Sequence, residues 1–172
     1  EDDPRNANLN LYVNGEIVDR DDAKVSVYDS GFLLGDGVWE GLRLYNGTWT
    51  FLDEHMDRLF EAAKAIDLDI GMTSAELETA LNDTAAANHM TDGVHARLMV
   101  TRGVKSKPFQ DPRLSKSGPT IVIITEFSSP VTGRALRLHT TPFHRGLPLT
   151  QDPKLNSHSK LNCILAGIHA QK

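Results

Sequence analysis

An α+β fold is predicted for this 172-residue chain by three features of its sequence. Two Asn-Gly dipeptides, Asn14-Gly15 and Asn46-Gly47, sit between short alternating apolar runs. Residues 53–88 then switch to helical periodicity, and alternating or β-branched runs return after them.

Leu9 to Val18 reads as a β-hairpin, because Asn-Gly suits a two-residue turn whose central residues both take positive φ. Val38 to Tyr45 and Thr48 to Leu52, around Asn46-Gly47, read as a second. From Asp53, placed as an N-cap, Met56, Leu59, Phe60, Ala63 and Ile66 recur at helical spacing. Thr73-Ser74-Ala75-Glu76 has capping-box form and opens a second helix to about Asn88, with Gly93 marking its end. Val94 to Thr101, Ile121 to Ile124 and Ala135 to Thr140 read as strands, the first two separated by a loop with three prolines from Lys105 to Pro119. Small, polar, turn-rich residues make 128–134 the expected interdomain linker, so that 1–127 form a small domain of one sheet and two helices. Residues 135–172 begin a second domain with one strand, a long loop and a helix from Leu161 to Lys172. Leu161, Ile164, Leu165 and Ile168 share one face of that helix, and no stop signal follows, which predicts further sequence beyond it.

With 40% hydrophobic and 24% charged residues, disorder and collagen-like repeats are excluded. No apolar run approaches the roughly 20 residues of a membrane-spanning helix. The N-terminus has neither the basic nor the apolar region of a signal peptide. A single cysteine, Cys163, forbids an internal disulfide and fits a reducing cytoplasm. A net charge of −5 argues against a general nucleic-acid binder. The seven histidines and one cysteine show no His-x-x-x-His or Cys-x-x-Cys spacing, so no metal is expected.

Several residues suit chemistry as well as plainer roles. Gly35-Asp36-Gly37 reads as a glycine turn, with a phosphate cradle as the weaker alternative, because the endings of nucleotide-binding loops are lacking. His55 and Arg58 share a helix face, where an arginine is either solvated or paired bidentately with phosphate. Arg97 and Arg102, flanking a strand, suit carboxylate binding through their fixed fork geometry, or simply surface charge. Asn156 to Asn162 crowds polar residues at the entry to the last helix. There Ser159 fits an N-cap, and Lys160 is either a surface lysine or a desolvated amine able to form a Schiff base.

Three stretches in this order resemble the fold type IV pyridoxal-phosphate enzymes. That group comprises branched-chain and D-amino-acid aminotransferases, (R)-selective amine transaminases and aminodeoxychorismate lyases. The stretches are Val25 to Arg43, containing Tyr28-Asp29-Ser30-Gly31 and Gly35-Asp36-Gly37-Val38-Trp39-Glu40-Gly41, then Leu52 to Leu59, then Ala96 to Gly103. Leu161 to Ala166 matches more loosely. The resemblance implies that residues 135–172 open a larger, barrel-like domain holding pyridoxal 5'-phosphate. It implies that Arg58 grips the cofactor phosphate, that Trp39 walls the substrate pocket with Arg43 on the same strand, and that Arg97 and Arg102 bind substrate. Aligned without gaps, the family's Schiff-base lysine falls on Asn156 or Leu155, so Lys160, with Lys154 as the alternative, is the expected catalytic amine. The family's later phosphate-binding turns and the glutamate that partners the pyridine nitrogen lie beyond the matched stretches.

The implied activity is transamination between an amino acid or amine and a 2-oxo acid, in a cytoplasmic homodimer with no nucleic-acid or membrane partner. An aminodeoxychorismate-type lyase and a catalytically silent dimerising relative are the alternatives. Val38 to Arg43 looks most like the branched-chain branch, which favours transamination.

Overall fold

Asn14 and Gly15, at φ 50° and 98°, close a hairpin between strands β1 (Asn10–Val13) and β2 (Glu16–Asp19). Asn46 and Gly47, at φ 47° and 77°, do the same between β3 (Gly37–Tyr45) and β4 (Thr48–Trp49). The computed structural model describes residues 3–130, 132–133 and 135–171. In chain order a five-residue helix α1 (Ser30–Leu34) precedes β3, and helices α2 (Leu52–Ala65) and α3 (Ser74–Ala87) follow β4. Strands β5 (Val94–Thr101) and β6 (Thr120–Phe127) come next, then a short α4 (Pro148–Gln151) and α5 (Leu161–Gln171). The six strands form one antiparallel sheet in the order β2-β1-β6-β5-β3-β4, as an α+β fold requires.

Strand pleating divides the sheet into two faces. Val38, Leu42 and Leu44 of β3, with Ala96, Leu98 and Val100 of β5 and Ile121 and Ile123 of β6, face α2 and α3 and are buried with Met56, Leu59, Leu77 and Leu81. Burying an aliphatic side chain of this size contributes about 1.5–3 kcal/mol, and this single row of contacts is the main reason the layers hold. Trp39, Gly41 and Arg43 of β3 alternate onto the other face, opposite Met99, Arg97 and His95 of β5. That face is only half-buried.

The capping box at the start of α3 forms as expected: the Glu76 N–H donates to Thr73 Oγ1 (3.3 Å), and the Thr73 N–H donates to Glu76 Oε2 (2.7 Å). The Thr73 N–H and, at 2.8 Å, the Thr73 hydroxyl both donate to the Glu76 carboxyl and hold it below its ordinary pKa. Three local expectations are corrected. Asp53 is not the N-cap of α2; Phe51 takes that place at φ 54°, and Asp53 lies in the first turn, where its charge complements the helix dipole. The second hairpin strand stops at Trp49, because the chain turns left-handed at Phe51 to enter α2. Ala135 to Thr140 forms no strand: alternation without a neighbouring ladder cannot satisfy the backbone, and Leu136 and Leu138 are 76% and 91% exposed. Val131 and Arg134, within the expected linker, and Lys172 lie outside the described residues. Among the described residues no helix is long and apolar enough to cross a membrane.

Phe51 is itself testable. It is 69% exposed and left-handed, a conformation that costs a side chain other than Gly, Asn or Asp about 1 kcal/mol. Phe51→Asn is expected to stabilise the protein by about 0.5–1 kcal/mol, read as a higher urea midpoint at unchanged slope. An unchanged or lower midpoint would show that the Phe51 ring packs enough to outweigh its backbone strain.

Candidate active site at the edge of β3

The first turn of the site is built by Gly35, which ends α1 in the left-handed conformation at φ 68° and directs the chain into β3. Gly35-Asp36-Gly37 is therefore a helix-ending turn. Asp36 leaves it to meet Arg102 at the far end of β5, whose Nε and Nη2 donate to Asp36 Oδ2 (2.7 Å) and Oδ1 (3.0 Å). The same guanidinium donates to the carbonyls of Asp67 and Ile66, both at 2.7 Å. Four of its five N–H groups are thus spent inside the chain. Arg102 clamps β5 to the turn and to the end of α2, and we do not place it in the substrate site. Arg102→Ala is expected to lower stability by about 2–3 kcal/mol, measured as a lower urea midpoint. A midpoint unchanged within about 0.5 kcal/mol would refute the clamp.

The outer edge of β3 is covered by residues 156–158, which pair with it through an antiparallel bridge between Val38 and Ser157. The Trp39 N–H donates to the Asn156 carbonyl (2.9 Å) and the His158 N–H to the Gly37 carbonyl (3.0 Å). Trp39 Nε1–H also donates to the Ser157 carbonyl (3.2 Å). His158 Nε2 stands 3.1 Å from the Val38 carbonyl, an acceptor only, so Nε2 carries the ring proton there. Burial pushes the His158 pKa below its ordinary value, against the opposing effect of the Val38 hydrogen bond. This strap delivers the chain to α5. The Ile164 N–H donates to the Lys160 carbonyl (3.0 Å), which makes Lys160 the capping position, while the Ser159 hydroxyl turns to the Gly35 carbonyl (3.4 Å).

Trp39 is the centre of a cationic cluster on the open face. The Arg97 guanidinium carbon lies 3.9 Å from its ring centroid, and Lys160 Nζ lies 5.4 Å from it. Gly41, opposite Arg97 in the ladder, makes room for the stack: a Cβ there would stand 3.4 Å from the indole and 3.2 Å from His95. Lys160 Nζ donates to Asn156 Oδ1 at 3.0 Å. Burial moves the Lys160 pKa below its ordinary value, opposed by Cys163 and aided by lesser effects of Arg145 and Arg97. Arg43, two positions beyond Gly41, donates from Nη1 to the Ser128 carbonyl and so ties β3 to the first residue of the expected linker.

On the other side of the sheet Arg58 projects from α2 over the β3 edge. Its Nε and Nη2 grip both oxygens of Glu40, at 2.6 and 2.5 Å, and His55 Nδ1 meets Glu40 Oε2 at 2.7 Å. Glu40 is 1% exposed, whereas the Arg58 side chain is 48% exposed, so the pair is a buried anchor holding a half-solvated cation. The Glu40 hydrogen bond raises the Arg58 pKa further above its ordinary value. Arg58 Nη1 has no partner among the described residues. It borders a cleft of about 160 Å³ lined also by Glu61, Asp152, Lys154 and Leu155. A second cleft of about 150 Å³ runs along Lys160, Arg145 and Cys163 and shares Asp152 and Leu155 as walls. Lys154, the alternative amine, is 74% exposed, with Nζ 3.5 Å from Glu61.

A family model described as amino-transferase class IV matches residues 37–172, a span that begins at β3 and includes Trp39, Glu40, Arg58, Arg97 and Lys160. The chain belongs to that family. It is 40% identical over 169 residues to branched-chain-amino-acid aminotransferase-like protein 1 of Arabidopsis thaliana, covering 97% of this chain and 30% of that protein. It is 42% identical over 98 residues to a D-alanine aminotransferase of Listeria monocytogenes, covering 57% of this chain and 34% of the relative. The branched-chain aminotransferase of the thermophilic archaeon Thermoproteus uzoniensis, solved with norvaline, superposes with a TM-score of 0.81 at 26% identity, over 95% of this chain and 56% of that one. The class IV chain thus spans about a third of the length of the two curated relatives and just over half of the archaeal structure.

Within this class IV chain the structure brings Trp39, Arg97 and Lys160 together, sets Arg58 across the β3 edge from them, and commits Arg102 elsewhere. Glu40 escaped notice in the sequence, although a signal was present. It occupies the inward parity of Val38-x-Glu40-x-Leu42-x-Leu44, and an acid at an inward strand position is rarely buried without a partner. His158 and the amide of Asn156 carried no such signal, because only the bridge to β3 puts them at the site.

Proposed function

We propose that this chain supplies the cofactor-binding edge of a pyridoxal-phosphate-dependent aminotransferase, moving an amino group between an amino acid and a 2-oxo acid. The observation that carries the reading is the Trp39–Lys160 pair across the β3 edge from Arg58: a partly desolvated amine and an aromatic wall on one side, a held guanidinium on the other, with the Lys160 and Arg58 clefts sharing Asp152 and Leu155 as walls. This donor set fits an anionic aromatic aldehyde. Arg58, whose Nη1 has no partner among the described residues, would hold the phosphate, and Lys160 would supply the amine that reacts with the aldehyde. When bound, the cofactor supplies an electron sink that loosens the bonds at the substrate Cα.

The chain's own residues then bind, orient and move protons. Glu40 and His55 hold Arg58 so that its remaining donors point outward. Arg97, stacked on Trp39, offers a guanidinium to a substrate carboxylate at the open face, with Arg43 two residues beyond Gly41 on the strand that carries Trp39. Lys160 Nζ, favoured as the neutral amine by burial, would take the proton from the substrate Cα and hold it for delivery to the carbon that carried the cofactor's aldehyde. We read the substrate as an aliphatic amino acid, because the branched-chain-like relative matches nearly the whole chain and the D-alanine enzyme only part of it. Homodimeric assembly in the cytoplasm, with residues 1–127 as a small domain and 135–172 opening a larger barrel-like one, belongs to the same reading.

The deciding experiment is an absorption spectrum of the protein with added pyridoxal phosphate, then borohydride reduction and peptide mapping. A pyridoxyl group fixed to Lys160 supports the reading. A colourless protein with no modified lysine overturns it in favour of a silent relative.

A further inference from the structure

We propose that Asn156 is a positioning residue for the Lys160 amine, its side-chain oxygen holding that amine beside the Trp39 ring so that the nitrogen lone pair faces the cleft. This rests on the reading of Lys160 as the carbonyl-reactive amine. Both partners have fixed main chains. The Asn156 carbonyl is tied to the Trp39 N–H at 2.9 Å, and the Lys160 carbonyl opens α5 by accepting from Ile164 at 3.0 Å. The contact of 3.0 Å between Lys160 Nζ and Asn156 Oδ1 therefore spans two anchored points, one on the strap and one at the helix start. A long lysine side chain otherwise samples many rotamers, so a fixed acceptor at its tip selects one position among many.

The acceptor's neutrality matters as much as its place. The charged and titratable groups facing Lys160 are Arg97 from β5, Arg145 from the loop before α4, His158 from the strap and Cys163 from α5. Asp152 lines the same cleft, with its Oδ1 taken by the Lys154 N–H at 2.9 Å. An amide oxygen accepts one N–H from either protonation state and leaves the free amine its lone pair, whereas a carboxylate in the same place would hold the proton on the nitrogen. In condensation with an added aldehyde the lone pair forms the C–N bond, and the carbonyl oxygen leaves as water with both amine protons.

The test compares the parent with Asn156→Asp, which keeps the side-chain shape, and Asn156→Ala, which removes the acceptor. Urea unfolding checks that each variant folds. Acetic anhydride labelling of Lys160 across pH is read by peptide mass spectrometry, and pyridoxal phosphate with borohydride reports the rate of adduct formation. Asn156→Asp is expected to raise the labelling midpoint of Lys160 by about one pH unit or more. Asn156→Ala is expected to leave that midpoint near the parent's while slowing adduct formation about tenfold. A purely structural role for Asn156 would move neither. If the parent forms its adduct on Lys160 and both variants match it, the inference falls alone. If the parent's adduct sits on Lys154, the reading of Lys160 as the reactive amine falls and takes the inference with it, and if no lysine is modified the functional reading falls as well.

Discussion

Lys160→Ala is expected to abolish the borohydride-stable pyridoxyl adduct and to reduce any transamination by about a thousandfold or more, the scale seen when a covalent nucleophile is removed. Lys154→Ala should leave both nearly unchanged. The difference follows from environment. Lys154 is 74% exposed, with Nζ 3.5 Å from the Glu61 carboxylate, away from Trp39. Lys160 is half-buried between Trp39 and two arginines, an arrangement that disfavours the charge and enlarges the reactive fraction at neutral pH. The sign is open to measurement. The folded-state pKa of Lys160 lies below its unfolded value, so the unfolded chain binds more protons between the two values. The destabilisation due to this group is then complete below the folded pKa and fades as pH rises to the unfolded one. Adduct formation should accordingly set in at lower pH than for an exposed lysine. An adduct persisting in Lys160→Ala and vanishing in Lys154→Ala would transfer the role to Lys154.

Glu40→Ala is expected to have the largest effect of any single change on the fold and on cofactor binding together. Glu40 lies in the row Glu40, Leu98, Ile123 across the three central strands, an acid in an otherwise apolar register. Both of its oxygens are spent on Arg58 and His55. Truncation leaves a cavity and two unanchored side chains. Because Arg58 is half-exposed and recovers water, the cost falls below the 3–5 kcal/mol typical of breaking a fully buried pair, at about 2 kcal/mol. For a domain of this size that is a fall in Tm of several degrees. Pyridoxal phosphate affinity should drop about tenfold or more, since the phosphate ligand is no longer held in one rotamer. Glu40→Gln, which keeps the volume and one acceptor, should recover most of the stability but less of the affinity. Thermal unfolding together with cofactor titration checks both. Unchanged affinity in Glu40→Ala would remove Glu40 and Arg58 from the cofactor site.

The two Asn-Gly turns, the capping box at Thr73 and the strands at Val94 to Thr101 and Ile121 to Ile124 were legible in the sequence because each depends on neighbours a few residues away. The motif around Gly35 to Arg43 and the His55–Arg58 pair pointed to the family, and the match over residues 37–172 agrees. Other features depend on partners far along the chain. The spacing of Arg102 suits a substrate ligand as well as a clamp, and only the approach of Asp36 and the end of α2 decides between them. Asp53 looked like a cap because its type favours that position, yet the turn out of β4 places Phe51 there. Ala135 to Thr140 alternates like a strand but has none beside it among the described residues. Lys160 meets Trp39, far away in the chain, only because residues 156–158 pair with the β3 edge. Local propensity, turn chemistry and periodicity are written in consecutive residues, so the sequence by itself determined the family and most of the elements up to Phe127. Burial, ladder pairing and the company each charged group keeps arise from contacts distant in sequence, and only the tertiary structure decided that Lys160 and Arg97 gather at Trp39 while Arg102 pairs with Asp36.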